Sequence, residues 1–416
     1  MDIFRYLLCL IFSDRSDYMQ RKTWVSECSF SKNTMYRFLN SAKTNWQRFV
    51  VLLSSGIIMN FMKPLTDEKR KDVFIVDDSL FDRSRSTKTE LLAKVFDHSS
   101  MKYKRGYRML TLGWSDGNSF VPVNYCLLSA AEDKNLLCEA REYDGRSLAG
   151  KRRSQSRRKA TDVMVELVAS AQKAGITAKY ILFDSWFSSP KTIMTLKKDC
   201  HLDTVAMIKK GKTKYLYQGK SLNIKQIYSM NRKRRGRSKY LLSVEVTLQK
   251  DGETLPARIV YVRNKSNRKD WLALVSTDLD ITEEEIIRIY GKRWDIEVFF
   301  KSCKSYLRLV KECRSLSYDA LNAHTAIVFT RYMMLSVAKR RDEDDKTICE
   351  LFYVLLDEME DITFSESMRI IMDALMETVM EYFHITEAQL EEFSARFVSR
   401  LPKYMQEALL SGQKAA

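Results

Sequence analysis

The stretch TEEEIIRIYGKRWDIEVFFKSCKSYLRL, residues 282–309, decides how the rest of the chain is interpreted. Its spacing of apolar residues predicts one long helix, with Thr282 as the N-cap and Glu285 as the capping-box partner. Because an α-helix turns by about 100° per residue, four polar side chains fall on one face. These are Tyr290, Arg293, Glu297 and Lys304. The stretch therefore holds one carboxylate between two cations and a phenol.

This polar face has two interpretations. The first is a solvated ladder of ion pairs, which is the usual outcome for opposite charges at this helical spacing. The second is a metal-binding carboxylate, Glu297, beside cations that hold phosphate groups. The second interpretation requires two more acidic residues elsewhere in the chain.

Two buried-strand patterns end in aspartate. Residues 73–76 form an apolar run that ends at Asp77 and Asp78, where the pattern predicts a polar turn, and residues 180–183 form a second run that ends at Asp184. Open α/β sheets place their ligand chemistry at the carboxyl ends of such strands. For each aspartate taken alone, a solvated strand end is the alternative. Because Asp77 and Asp78 are adjacent, one residue of register decides which of them faces a site.

The charge of the chain is unevenly distributed. Residues 341–416 contain 17 acidic and 7 basic side chains, so residues 1–340 carry +27 within the total of +17. A surplus of this size on a folded body favours a polyanionic partner, most often nucleic acid. A merely soluble basic protein is the alternative.

Composition restricts the metal chemistry. The 8 cysteines include no C-x-x-C pair and the 4 histidines are not spaced for a metal site, so neither a zinc ribbon nor a disulfide framework is indicated. Oxygen ligands remain, and they favour Mg²⁺ or Mn²⁺ over zinc. The cysteine usage indicates a reducing cytosol. The sequence contains no run of 18 or more apolar residues, so it predicts no membrane span.

The sequence predicts an α/β (α+β) fold in five segments. They are a helical N-terminal DNA-binding region (1–70), the first part of a catalytic core (71–202), a β-rich insertion (203–280), the second part of the core with the glutamate helix (281–340) and an acidic helical C-terminal domain (341–416). Within the first segment, residues 27–41 fit either a helix-turn-helix that reads DNA or an ordinary helical bundle.

Basic segments are candidates for contact with the DNA backbone. Residues 97–108 carry Lys104 and Arg105 close to the strand of Asp77. Residues 150–159, GKRRSQSRRK, are too polar to pack in a core and predict a mobile loop that contacts phosphates. Residues 231–239 predict a second basic loop.

Taken together, Asp77, Asp184 and Glu297 form a set of three carboxylates that can hold two divalent cations for phosphodiester displacement. Here the sequence resembles the DDE transposases of bacterial insertion sequences, which carry the signature Y-(2)-R-(3)-E-(6)-K. Tyr290, Arg293, Glu297 and Lys304 reproduce that signature in full. The IVDDS and FDSWF segments resemble the first and second aspartate motifs, and the β-rich segment before the glutamate helix is similar to the family's insertion.

The resemblance implies a ribonuclease-H-like catalytic core with an inserted β domain, flanked by helical N- and C-terminal domains. It implies that Asp77, Asp184 and Glu297 bind two Mg²⁺ ions, for which Mn²⁺ may substitute, and cut DNA. Contacts to DNA are implied for Tyr290, Arg293, Lys304 and for two tryptophans that hold a flipped base, Trp271 and Trp294. The implied protein is a cut-and-paste transposase that acts as a homodimer on terminal inverted repeats and target DNA, in the bacterial cytoplasm at the nucleoid.

Two rival functions remain. A ribonuclease-H-like nuclease would cut DNA without joining it, and a catalytically silent descendant of a transposase would only bind DNA. One further aromatic, Trp186, follows Asp184 closely, and for it the sequence favours a packed core position over a contact with DNA.

Overall fold

The computed structural model describes residues 2–13, 17, 21, 29–67, 70–97, 100–235, 238–264, 267, 270–341, 348 and 387–400. The chain divides into two compact units, one of residues 1–4 and 29–345 and the other of residues 5–28 and 346–416. The first unit contains every strand of the described residues and all the predicted site residues. It is a mixed α/β structure built on one large sheet.

The elements are numbered here in chain order. The helices are α1 Asp2–Cys9, α2 Lys32–Leu39, α3 Trp46–Ile57, α4 Leu148–Ser156, α5 Ala160–Lys173, α6 Pro190–Asp199, α7 Ile224–Met230, α8 Glu283–Gly291, α9 Trp294–Ser305, α10 Tyr318–Arg341 and α11 Glu387–Ser399. The strands are β1 Val73–Asp82, β2 Ala93–Asp97, β3 Lys102–Ser115, β4 Phe120–Leu128, β5 Tyr180–Phe183, β6 Asp203–Ile208, β7 Lys214–Tyr217, β8 Lys220–Asn223, β9 Leu242–Lys250, β10 Glu253–Arg263 and β11 Trp271–Ser276.

The sheet has the order β2-β3-β1-β5-β6-β11-β10-β9-β7-β8, and β4 also pairs with β3. β1, β3 and β4 are antiparallel neighbours, whereas β5 and β6 run parallel to β1. β3 and β4 form a hairpin around Asp116 and Gly117, whose residue types favour a tight turn. Gly117 has φ +90°, a backbone conformation that glycine adopts without steric cost.

The predicted β-rich insertion is not a separate layer. Its strands continue the same sheet, because β6 pairs in parallel with β5 and β11 then pairs antiparallel with β6. The predicted β-rich character of the segment is present as strands β6 to β11, and the segment also contains the helix α7. The side chain of Asn223 caps α7 through a complete capping box with Gln226.

The expected end of β1 at Asp77 was wrong. The strand continues to Asp82, and each of its ten residues pairs with β3. The parallel pairing with β5 does stop early, at Ile75 opposite Leu182. The second half of β1 therefore extends beyond β5, and Asp77 lies in this part of the strand.

The prediction of one continuous helix over residues 282–309 was also wrong. α8 ends at Gly291, and α9 begins at Trp294 after a tight turn. Glycine is a poor helix former, and the turn lets the Lys292 Nζ donate to the carbonyls of Lys71 (2.7 Å) and Asp116 (3.1 Å). The predicted N-cap is confirmed, since Thr282 accepts from the Glu285 amide at 3.3 Å.

The basic block of residues 150–159 is not a loop, which corrects a third expectation. Most of it lies in α4, where Arg152 and Arg153 are buried. Arg153 Nε donates to Glu90 Oε1 at 2.6 Å, and its Nη2 donates to Asp319 Oδ2 at 2.8 Å. These arginines are internal ion-pair partners rather than DNA contacts.

The N-terminal segment is helical in its described residues. Ser31 caps α2 as the sequence suggests, accepting from the Thr34 amide at 3.2 Å. Residues 22–28, which would contain the first part of the proposed helix-turn-helix, lie outside the described residues. Most of the acidic segment 341–416 also lies outside them, apart from α11 and residues 341, 348 and 400.

One helical stretch of the described residues, Trp46–Leu65, is long and apolar enough by composition to cross a membrane. Core helices of soluble proteins meet the same criterion. In the structure, Val50 and Val51 of this stretch are buried, and Gln47 Nε2 donates to the carbonyl of Tyr125 in β4 at 2.6 Å. The stretch is thus a packing helix of the first unit, and the expectation of no membrane contact stays a prediction.

Candidate active site

The two aspartates are neighbours at one edge of the sheet. Ile75 in β1 pairs with Leu182 in β5, so continuing this parallel register by two residues brings Asp77 beside Asp184. Asp184 follows β5 directly, and its Oδ1 accepts a hydrogen bond from the amide of Trp186 at 2.9 Å. The carboxyl ends of the parallel strands thus bring together two carboxylates that are far apart in the sequence.

Arg293 joins the first aspartate to the glutamate. Its Nη1 lies 3.3 Å from Asp77 Oδ2, and its Nη2 lies 2.5 Å from Glu297 Oε1. Arg293 is in the turn before α9, and Glu297 is in the first turn of that helix. The guanidinium therefore stands between the two carboxylates that the sequence assigned to metal.

The strand register separates Asp77 from Asp78. Alternate residues of a strand point to opposite faces, so Asp77 and Ser79 share one face. Ser79 accepts from Lys304 Nζ of α9 at 2.6 Å, whereas Asp78 forms an ion pair with Arg108 of β3. Asp77 is thus the one that faces α9 and Glu297.

Like charge is concentrated around Asp77. Burial raises the pKa of Asp77 to about 7, repulsion from Asp184 and Asp78 adds to the increase, and Arg293 opposes it. Two acidic side chains close enough to repel each other are stabilised when a cation binds between them. Asp77 thus lies in an environment with an excess of negative charge.

Tyr290 completes this cluster. Burial raises its pKa to about 12; the Arg293 charge lowers the pKa, and the nearby Asp184 charge raises it. Its hydroxyl is buried and makes no hydrogen bond of good geometry within the described part of the chain. The Arg293 guanidinium is close enough to hydrogen-bond this phenol and lower its pKa, so Tyr290 belongs to the same cluster as Asp77 and Glu297.

The residues at this site meet only part of what binding of a divalent cation requires. All the available donors are carboxylate oxygens, which hard cations prefer. Among the described residues, however, no three His, Cys, Asp or Glu side chains converge closely enough to hold one ion. Asp77 and Asp184 lie close enough for their charges to interact, and the Arg293 guanidinium stands between Asp77 and Glu297.

Comparison with known proteins identifies the family. A family model described as DDE superfamily endonuclease matches residues 10–269, more than half of the chain. The chain belongs to the DDE superfamily endonucleases. No curated protein matches it.

Family membership sets the general chemistry. A DDE endonuclease acts on DNA as a nuclease or transposase, and members generally use divalent metal ions. The matched residues include Asp77 and Asp184 and end before Trp271 and Glu297. The family match therefore does not cover the helix that carries Glu297. The link between that helix and Asp77 is the Arg293 guanidinium, which contacts both carboxylates.

The tryptophans of this DDE endonuclease lie in different surroundings. Trp271 stacks on Tyr228, with ring centroids 4.8 Å apart, and meets Tyr261 edge-on at 5.0 Å. Trp294, at the start of α9, has 61% of its surface exposed. The predicted contacts of Trp271 and Trp294 with a flipped base therefore stay predictions.

The expectation that Trp186 packs in the core was wrong, since 53% of its surface is exposed. It is the next residue, Phe187, that is buried, against Phe183 of β5. The sequence did contain a signal for this exposure. Trp186 is two residues beyond a strand-end aspartate, so it must lie at the same edge of the sheet as that aspartate.

Lys104 and Arg105 lie away from the carboxylates. Asp77 pairs with Thr111 of β3, so Arg105 is six residues farther along that strand, which at about 3.3 Å per residue amounts to roughly 20 Å. Lys104 Nζ pairs with Asp97 Oδ2 at 2.7 Å, and this hydrogen bond raises the pKa of Lys104. The Lys104 charge nevertheless acts on Lys304 of α9, so Lys104 is not remote from that end of the cluster, and the predicted DNA contacts of Lys104 and Arg105 stay predictions.

Proposed function

We propose that this DDE endonuclease is a cut-and-paste DNA transposase that cleaves and joins DNA strands at the inverted-repeat ends of an insertion sequence. The observation that carries the proposal is the cluster of Asp77, Asp184 and Glu297 around Arg293. Its support comes from three distant parts of the sequence that meet at one edge of the sheet. The antiparallel β4, β3 and β1 beside the parallel β5 and β6 support a ribonuclease-H-like core.

In this proposal the carboxylates of Asp77, Asp184 and Glu297 hold two divalent cations, Mg²⁺ or Mn²⁺. When bound, such ions activate a water or hydroxyl and stabilise the departing oxygen of the phosphodiester. Arg293 and Lys304 would contact phosphate oxygens near the scissile bond, Arg293 through two parallel N–H donors. The Tyr290 hydroxyl would supply a further donor from the same face.

The partners follow from the charge. The +27 carried by residues 1–340 favours binding along a DNA backbone. We place the terminal inverted repeats and the target DNA on this body, with two copies of the chain acting on paired ends. The setting would be the bacterial cytoplasm, at the nucleoid.

Cleavage of a DNA fragment that carries the element's end tests the proposal. Asp184→Asn and Glu297→Gln should each abolish Mg²⁺-dependent cleavage and leave binding of the same fragment intact. Glu284→Gln is the matched control, because Glu284 is an exposed glutamate in α8 that pairs loosely with Lys239 at 3.8 Å. Cleavage that survives in Asp184→Asn would overturn the assignment.

A second assay separates cutting from joining. Pre-cleaved ends are incubated with a supercoiled target plasmid and Mg²⁺, and joined products are scored. Joined products support the transposase, and cleavage without any joined product would indicate the nuclease instead. Short inverted repeats flanking the reading frame would provide the natural substrate.

A further inference from the structure

The turn that joins β3 to β4 is hydrogen-bonded to the start of α9. Ser115 Oγ donates to Asp295 Oδ2 at 2.7 Å, and Lys292 Nζ donates to the carbonyl of Asp116 at 3.1 Å. The same Nζ also donates to the carbonyl of Lys71, just before β1, at 2.7 Å. Two side chains at the start of α9 are thus bound to the end of the sheet where β1 begins and β3 ends.

The shape of this turn leaves room for the lysine. Gly117 has φ +90°, and a Cβ atom at this position would lie 2.8 Å from Lys292 Cε and 3.0 Å from its Nζ. Glycine adopts this backbone conformation without steric cost, and it has no Cβ atom. A side chain here would push Lys292 away from the carbonyls that it binds.

The turn is itself fixed by the buried Asp116 side chain. Its Oδ1 accepts from the amides of Asn118 and Ser119, both at 2.8 Å. Its Oδ2 accepts from Thr66 Oγ1 at 2.8 Å and from Arg340 Nη2 of α10 at 3.0 Å. Because the turn is bound on both sides, a helix attached to it has a defined position relative to the sheet.

The contacts with the turn lie on the opposite side of α9 from the glutamate. At about 100° per residue, Lys292 and Asp295 lie within roughly 60° of each other, and Asp295 points about 160° away from Glu297. Within the described residues, no side chain caps the amino end of α9, and Phe299 packs against Phe120 of β4 with ring centroids 5.1 Å apart. Apolar packing is not directional, so the hydrogen bonds to the turn set the rotation of the helix about its axis.

Both sides of α9 are attached to the same pair of strands. On one side, Arg293 Nη1 lies 3.3 Å from Asp77 Oδ2 of β1. On the other side, Asp295 accepts from Ser115 of β3, and Ser115 pairs with Val73, four residues before Asp77. The two attachment points are thus roughly 13 Å apart along the strands, at about 3.3 Å per residue. A shift at the second point would move the guanidinium and the glutamate relative to the aspartates.

We infer that Lys292 and Asp295 are positioning residues of the candidate active site. Their contacts with the turn hold α9 in the rotation that directs Arg293 and Glu297 toward the aspartates. The inference rests on the proposed function, which gives Arg293 and Glu297 their roles in cleavage. Lys292 and Asp295 act through the backbone of α9, and a displacement of about 1 Å in a catalytic site can lower the rate by about 100-fold.

Single-turnover cleavage tests the inference. The full chain, in excess over a DNA fragment that carries the element's end, is mixed with Mg²⁺, and the rate is expressed per folded molecule. Asp295→Leu and Lys292→Met, which remove one partner of each contact, should lower this rate by about 10- to 100-fold. Binding of the same fragment in EDTA should stay within about 2-fold, because only a contact inside the protein is lost.

Asp295→Asn is the conservative variant, because its amide oxygen can still accept from Ser115. It should keep the rate within about 3-fold of the wild type. Ser115→Ala should resemble Asp295→Leu, and combining the two should add little, since both remove the same hydrogen bond. An equal loss in Asp295→Asn and Asp295→Leu would overturn the inference, because it would assign the effect to the carboxylate charge.

Tyr318→Phe is the matched control. It removes another buried hydrogen bond to a backbone carbonyl, from Tyr318 Oη to Leu127 at 2.6 Å. The rate per folded molecule should stay within about 2-fold, because the contacts of Lys292 and Asp295 are intact. A loss as large as that of Asp295→Leu would overturn the inference, since lost stability would then account for both.

Hydrogen exchange separates the inference from the proposed function. Without metal and DNA, the amides of residues 296–299 should exchange at least about 10-fold faster in Asp295→Leu than in the wild type or Tyr318→Phe. If they do and the wild type never cleaves DNA, the attachment of α9 stands and the transposase proposal fails. If the wild type cleaves DNA but these amides exchange normally in Asp295→Leu, or Asp295→Leu cleaves as fast as the wild type, the inference fails and the transposase proposal stands.

Discussion

Arg293 forms an ion pair with Asp77, 216 residues earlier in the chain, at a distance of 3.3 Å. The same guanidinium also binds Glu297, so one side chain neutralises part of the charge of both carboxylates. Arg293 thus supplies positive charge to both Asp77 and Glu297. A divalent ion held by all three carboxylates and the guanidinium would compete for the same oxygens.

The first prediction concerns this competition. Without DNA, Arg293→Gln should bind Mn²⁺ roughly three- to tenfold more tightly than the wild type, because the carboxylates lose their competing positive charge. Its DNA cleavage should fall by about 100-fold or more, because the bidentate contact with phosphate is lost. Isothermal titration calorimetry gives the affinity, and a cleavage time course gives the rate.

Arg288→Gln provides the control for that prediction. Arg288 is an exposed arginine of α8 that pairs with Glu285 at 3.5 Å. Its substitution removes the same charge as Arg293→Gln does, but from the neighbouring helix. It should leave both Mn²⁺ affinity and cleavage within about 2-fold, as expected for a surface ion pair. Weaker Mn²⁺ binding by Arg293→Gln would instead show that Arg293 orders the carboxylates for the ion.

Local signals in the sequence were sufficient for much of the site. The apolar run before Asp184 was predicted correctly, and it is specified by a few adjacent residues, as are the Ser189 cap and the turn at Asp116 and Gly117. The helical spacing of Arg293 and Glu297 also survives the break between α8 and α9, because the turn between them keeps right-handed helical dihedrals.

What failed depended on partners distant in the sequence. β1 continues through Asp77 and Asp78 because β3 pairs with it along its whole length, and Arg108 of β3 neutralises Asp78. No pattern within residues 73–82 contains that information. Trp186 is a different case, because its place two residues beyond the strand-end Asp184 already indicated an edge position, whereas its assignment to the core rested on its residue type alone.

The second prediction concerns pH. The raised pKa of Asp77, about 7, means that the folded state keeps a proton that the unfolded chain, with a pKa near 3.9, has already released. This stabilisation is fully present below about pH 4 and is lost as the pH rises through about 7. Without metal and DNA, Asp77→Asn should therefore gain roughly 2 kcal/mol of unfolding free energy relative to the wild type between about pH 5 and 8.

Urea unfolding at a series of pH values measures this difference. Asp133→Asn serves as the control, because Asp133 is a highly exposed aspartate that pairs with Arg157 on the surface. Its pH profile should run parallel to that of the wild type. If the unfolding free energy of Asp77→Asn has the same pH profile as that of the wild type, ionisation of Asp77 does not destabilise the folded state.

The third prediction concerns the buried charges that replaced the expected basic loop. Arg153 binds both Glu90 and Asp319, and all three side chains are almost fully buried. Arg153→Met should cost roughly 3–5 kcal/mol of unfolding free energy, because it leaves two buried carboxylates short of a partner. Chemical denaturation measures the loss, and DNA binding per folded molecule should be unchanged.

Arg158→Met is the matched control from the same basic block. Arg158 pairs with Glu166, but both side chains are more than 40% exposed, so water replaces the lost partner. This change should cost less than about 1 kcal/mol. In Arg153→Met, adding Glu90→Gln should recover part of the loss, because the second substitution removes one of the unpaired charges. If Arg153→Met lost more DNA affinity than Arg158→Met at equal folded fraction, residues 150–159 would instead contact DNA, as their sequence suggested.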